Sequence, residues 1–359
     1  MSEPVATAGP TRVVALDLLR ICAVVGVVAI HVFGAIVSDA DRSGTPGWWL
    51  AVVLDLGNVW VVPVFVMVSG ALLLGGRAQK AGPASFYRKR LLRLGPAFVF
   101  WQVFYVVVVR WLLSDQQLSL GSVAGMVIDG RTYTHLYFLW LIAGLYVIAP
   151  VLAAFLAGGG PRRAVIFAAC VLAATVVTYS ASGLMGWAGQ PRPIILTALT
   201  QWIPYVGYFL AGWALRALAP RGWAAVAIWV LTALALAEIV WQYGVRPDFP
   251  LLQAATPVSY LGPVVALASI GVFLSFSALF ARVQWPPRIL AFVRELSDAA
   301  FGVFLVHFAL IVALRAIPGF GPRTISSLPV AILLWVAVVV LSFVISIACR
   351  RIPYVRRIF

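Results

Sequence analysis

The chain is a succession of long apolar runs separated by short polar turns, and that pattern leaves few folds open to it. Crossing the hydrocarbon of a bilayer takes a helix of about 20 residues. Ten runs are long enough: residues 13–37, 48–74, 92–113, 136–156, 164–182, 196–218, 223–243, 258–280, 299–317 and 328–349. Charged residues are 10% of the 359 and hydrophobic ones 63%, whereas an ordinary soluble domain carries about 25% charged residues. The sequence therefore predicts an all-α integral membrane protein with about ten transmembrane helices. Residues 1–12 are expected to be a disordered leader, 13–349 the membrane domain and 350–359 a basic tail. The first run has no small-residue cleavage pattern after a short apolar stretch, so it is expected to be a retained helix rather than a signal peptide.

Ten crossings place both termini on one side of the membrane. Eighteen of the 26 Lys and Arg residues fall on that face, Arg88, Lys89, Arg90 and Arg93 among them, and seven fall on the other, including Arg42, Arg110 and Arg315. Basic loops stay in the cytoplasm, so both termini are expected there. The net charge of +15 then reflects topology and contact with anionic lipid head groups, with no need of a nucleic acid. Cys22, Cys170 and Cys349 sit in separate runs and form neither a disulfide framework nor a metal spacing.

Within this apolar background the first run carries Asp17, Arg20 and His31. Eleven residues bring a helix back to nearly the same face after a climb of about 16 Å, so Arg20 and His31 point one way at two depths. Charged and ionisable groups inside a membrane are costly, and they usually line a cavity or pathway. Asp17, three residues before Arg20, is a partner for the guanidinium. A neutral imidazole takes a hydroxyl proton near neutral pH, which makes His31 a candidate general base. His135 and His307 are the other histidines, expected at the outer end of the fourth run and at mid-depth in the ninth. No close pairing of ligands suggests a metal. Arg90 and Arg93, three apart, share a helical face and either grip a polyanion or serve membrane insertion. Pro63, Pro204 and Pro263 are expected to kink their helices, with an opening near Ser69 and Gly70. Glu295 and Asp298 are expected at a helix N-terminus.

Five blocks in order resemble the membrane-bound acyltransferase 3 family. They are Leu16 to Arg20 with Ala29 to His31; Val62 to Gly70; Phe86 to Arg90 with Arg93 and Pro96; His135 to Trp140 with Gly144 to Tyr146 and Pro150; and Phe301 to His307. The second block is most similar to the single-domain branch that includes enterobacterial common antigen O-acetyltransferase. Phe304 and Tyr137 depart from the pattern, where the family often has tyrosine and tryptophan. The resemblance implies a plasma-membrane enzyme that takes an acetyl or similar group from cytoplasmic acyl-CoA and delivers it to a hydroxyl of a cell-surface glycan or related envelope acceptor. It implies His31 as base or acyl relay with Asp17 orienting Arg20, and Arg20, Ser69, Arg90 and Arg93 as donor contacts. His135, Trp140 and His307 are implied on the acceptor side. No metal or nucleic acid is implied. The residues alone also fit a multi-span exporter of a small anionic or glycan-linked molecule.

Overall fold

The structure, a computed structural model, describes residues 10–245, 248–317 and 327–359, so residues 1–9 of the expected leader lie outside the described residues. Among the described residues the chain is helical, and nine helical segments are long and apolar enough to cross a membrane. This is a multi-pass integral membrane protein. The first segment, α1 (Pro10–Val37), begins within the expected leader. It packs against the second segment and the last three and presents Leu19, Val24, Val28 and Phe33 to the core, all fully buried.

The second run is broken into α2 (Pro46–Leu56) and α3 (Val61–Leu73). The break comes before Pro63 rather than at it. The Gly57 amide donates to the carbonyl of Val53 at 3.1 Å, and the Asn58 amide side chain donates to that of Leu54 at 2.8 Å, closing α2. Pro63 then falls in the first turn of α3, where a missing N–H costs no helical hydrogen bond.

The third segment starts ten residues earlier than expected, as α4 (Gly82–Phe104), and continues as a π-helical stretch over Tyr105–Leu113. Arg88, Lys89, Arg90 and Arg93 thus all lie on this one helix. After α5 (Leu120–Ile128) come α6 (Tyr137–Ala157) and α7 (Gly160–Trp187).

The sixth run is helical only from the Ile203–Tyr205 turn through α8 (Val206–Leu215). Pro191 and Pro193 precede it, and the Thr197 amide donates to the Thr200 hydroxyl at 2.8 Å, so the entry to this run is turned rather than helical. Helices α9 (Gly222–Val245), α10 (Pro263–Phe280), α11 (Pro287–Arg315) and α12 (Leu328–Arg351) complete the bundle. Pro204 and Pro263 begin their helices instead of kinking them, because both occupy N-terminal positions.

The expectation for Glu295 and Asp298 is also corrected. Pro286 and Pro287 start α11 about two turns earlier, so both acids lie inside it. There they pair with α12 through Arg351 at 2.9 Å and Arg350 at 3.3 Å.

Helices α3 and α8 cross at backbone contact. A Cβ on Gly70 would lie 1.8 Å from the carbonyl oxygen of Phe209, and one on Gly212 would lie 1.8 Å from that of Met67. Small residues permit this approach, and close packing is a main source of helix association in lipid. Gly70 is therefore a tight crossing point rather than part of an opening.

Candidate active site

Helices α1, α3, α4, α6 and α11 surround an open cavity of about 240 Å³. Its polar wall carries Arg20, Ser69, Arg90, Arg93, Tyr146 and Asp298, and its apolar wall includes Phe65, Phe138 and Phe304. All four residues expected to contact the donor thus share one cavity. Tyr146 and Ser297 join them. Tyr146 lies in one of the sequence blocks, but nothing in its spacing marked it, and Ser297 carried no signal at all.

Each cation is held in a different way. The Asp17 carboxylate is about nine-tenths buried and accepts from the Ser297 hydroxyl at 2.8 Å. Arg20 Nη1 lies 3.7 Å from the same carboxylate oxygen, so Asp17 fixes the guanidinium at the cavity wall. Arg90 is flanked by rings, its guanidinium carbon 5.4 Å from the centre of Phe86 and 5.7 Å from that of Tyr146. Its Nε is buried without a hydrogen-bond partner. Rings hold the cation but accept few of its protons, which leaves donors for a ligand. Ser69 donates back to the carbonyl of Phe65 at 2.9 Å while facing the cavity.

Beyond the apolar wall the three histidines meet. His31 from α1 stacks on His307 from α11 with ring centres 5.4 Å apart and planes at 23°. His135, just before α6, lies 5.0 Å from His307 and 6.4 Å from His31. His307 is fully buried, and its Nδ1 lies 2.7 Å from the carbonyl of Phe304 and 3.2 Å from that of Val303. Carbonyls only accept, so Nδ1 carries the proton and Nε2 keeps a free lone pair. That Nε2 is buried without a partner, as are both ring nitrogens of His135. Although the rings gather, the described residues contain no group of three ligands placed to hold a metal ion.

Two aromatic residues connect the cavity to this cluster. Phe304 lines the cavity, and its ring centre lies 5.3 Å from that of His135. Phe138 also lines the cavity, 5.3 Å from Phe304. The family's common tyrosine is thus replaced at the boundary itself. Trp140 takes a different position: its ring packs edge-on against Phe98 at 4.7 Å, and no ring contact joins it to the histidines among the described residues.

A residue that the sequence did not signal supports the cluster from below. The Tyr105 hydroxyl, at the start of the π-helical stretch, donates to the carbonyl of Leu305 at 2.7 Å and accepts from the amide of Ala309 at 3.1 Å. An α-helix would join that carbonyl and amide to each other. Tyr105 therefore sits in the backbone ladder of the turn that carries His307, while its ring lies 4.8 Å from that of His135.

A family model described as an acyltransferase domain matches residues 13–351, nearly the whole chain. The chain belongs to the acyltransferase 3 family. No curated protein and no solved structure gives a significant match to it. Membership of the acyltransferase 3 family, together with the apolar helices, makes the protein a membrane acyltransferase. The matched region contains the arginine-lined cavity and all three histidines.

Proposed function

We propose that the protein transfers an acetyl or similar small acyl group from acyl-CoA to a hydroxyl of a cell-surface glycan or related envelope acceptor, at the plasma membrane. The observation that carries this reading is the succession along α1 and α11 of a cation-lined cavity, an aromatic wall and a histidine cluster. The phosphates of CoA cannot enter hydrocarbon. Arg90, Arg93 and Arg20 meet them at the cavity, on the cytoplasmic face that the basic bias of the sequence favours. The uncharged pantetheine arm then passes Phe138 and Phe304 and brings the thioester to the imidazoles. Its reach matches the climb of about 16 Å from Arg20 to His31.

At the cluster His31 accepts the proton of the acceptor hydroxyl as its oxygen attacks the thioester carbonyl. The carbon–sulfur bond breaks, and the departing CoA thiolate takes up a proton. His307, with its Nδ1 proton committed to backbone carbonyls, offers a fixed lone pair beside His31. His135 borders the acceptor's approach. The test is transfer of radiolabelled acetyl from acetyl-CoA to envelope glycans by the purified protein in liposomes. Labelled glycan from the wild type and none from His31→Ala is the expected result. Equal labelling by both would remove the histidine from the chemistry, and no labelling by either would overturn the reading.

A further inference from the structure

Helix α11 passes from the donor cavity at Asp298, through His307, to Arg315 at its far end. Eight residues beyond His307 is a rise of about 12 Å, away from the cavity. Seven residues bring a helix back to nearly the same face, so Arg315 extends the line of Phe308. The Phe308 ring lies 4.8 Å from those of His31 and Tyr133 and 5.5 Å from that of His135. The Arg315 guanidinium is within electrostatic reach of His31 and Tyr133. It thus stands over the histidine cluster from the side opposite the donor cavity.

Its bonding state separates it from the other cation nearby. Arg110 donates from Nε to the carbonyl of Thr132 at 2.7 Å and from Nη1 to Gln116 at 2.8 Å, and its guanidinium carbon lies 5.3 Å from the centre of Tyr133. These bonds tie down the loop that carries Tyr133 and His135. Arg315 has no such role. Its Nε and Nη2 are buried and have no hydrogen-bond partner, and no carboxylate pairs with it among the described residues. Arg315 itself is half-buried, but donors shielded from water and left unpaired are costly, and a site that keeps them suits an anion that arrives later. Its planar fork matches a carboxylate or a phosphate through two parallel bonds.

We infer that Arg315 binds an anionic group of the acceptor, a carboxylate or phosphate carried by the glycan, and so sets the hydroxyl over His31. The assignment rests on the acyl-transfer reading for the identity of its ligand, but the binding it describes needs no donor and no chemistry.

The experiment therefore measures binding alone, with purified protein in a neutral detergent and three probes: D-glucuronate, D-glucose 6-phosphate and D-glucose. The wild type should bind at least one anionic sugar about tenfold or more tighter than glucose, as expected of a charge-assisted bidentate contact. Arg315→Gln should lose that preference and Arg315→Lys should keep part of it. Both variants should retain wild-type acyl-CoA binding, which shows that the fold is intact. A preference that survives in Arg315→Gln, equal binding of all three sugars, or no binding of either anion would overturn the assignment. The same measurement in phosphatidylcholine vesicles, with and without phosphatidylglycerol, separates the two sources of anion. Displacement of glucuronate by phosphatidylglycerol would make this a lipid headgroup site and also overturn the assignment. Should Arg315→Gln fail to fold, the wild-type ranking and Arg315→Lys still decide. Acyl transfer is scored separately, so a failure here leaves that reading standing, and loss of transfer with intact anion binding counts against the transfer reading alone.

Discussion

The rings of His31 and His307 lie stacked 5.4 Å apart, one on the first helix and the other on the eleventh, and only one of them has its proton position fixed by backbone. His307 is anchored through Nδ1, whereas His31 is partly exposed and has no hydrogen bond among the described residues. In the proposed mechanism the mobile proton therefore belongs to His31. His31→Ala should lower the transfer rate by about 10² to 10⁴, the usual range for a lost general base, with acyl-CoA affinity unchanged. His307→Gln should lower it less, because Gln still fills the space and offers an acceptor. Single-turnover rates beside donor titrations make the comparison, and a larger loss at His307 would exchange the two roles.

Arg90 and Arg93 face the cavity from one side of α4. Replacing both by Ala should weaken acyl-CoA binding through loss of charge-assisted bonds, each about 1.5 to 3 kcal/mol. A pantetheine thioester without the nucleotide should bind about as well as before. Titration with both donors is the check, since an equal loss would assign the pair to folding or insertion.

Phe304 stands where the cavity meets the histidines. Phe304→Trp adds volume at that boundary, and overpacking of this kind typically costs about 1 to 3 kcal/mol. Free CoA should bind as in the wild type while transfer falls, because the nucleotide end remains outside the constriction. A matched fall in CoA affinity would place Phe304 in the nucleotide site instead.

Gly70 tests the packing. Gly70→Ala puts a methyl against the carbonyl of Phe209, which is backbone and cannot rotate away. A large fall in thermal stability is expected, toward the upper end of the roughly 1 to 3 kcal/mol of an overpacked core. Gly125→Ala, in a helix with no atom within 4 Å of the added carbon, should be neutral or slightly stabilising. Melting curves in detergent distinguish the two.

Orientation is the remaining expectation. Reporter fusions after Gly76 and after Phe359 should both report cytoplasm, in keeping with the eighteen to seven division of basic residues. Either one on the opposite side would break the ten-crossing arrangement and, with it, the placement of Arg90 and Arg93 as contacts for CoA.

The membrane fold was legible because hydrocarbon thickness imposes one length on every crossing, and the pairing of Arg90 with Arg93 because helical spacing is local. The meeting of His31, His135 and His307 was not, since it depends on which helices pack together. Breaks and starts failed for a related reason. Proline inside an apolar run predicts a kink, but whether Pro63 and Pro263 bend a helix or begin one depends on the residues before them: the turn at residues 57–60 and Gly262. Glu295 and Asp298 looked like terminal acids because their partners, Arg351 and Arg350, lie on another helix more than fifty residues away. Tyr105 and Arg315 were beyond reach of pattern altogether, because each is defined by what it touches or fails to touch.

The aromatic wall has an electrical consequence. A protein that lets a thioester on one side meet a hydroxyl from the other risks being a leak for protons, which would drain the gradient across the membrane that houses it. Proton conduction needs an unbroken file of hydrogen-bonding groups. Between the arginines and the imidazoles that file is interrupted by Phe138 and Phe304, neither of which can donate or accept. With phenylalanine rather than tyrosine at position 304, this layer adds no hydrogen-bonding link, so on the proposed reading an acyl group crosses where charge does not.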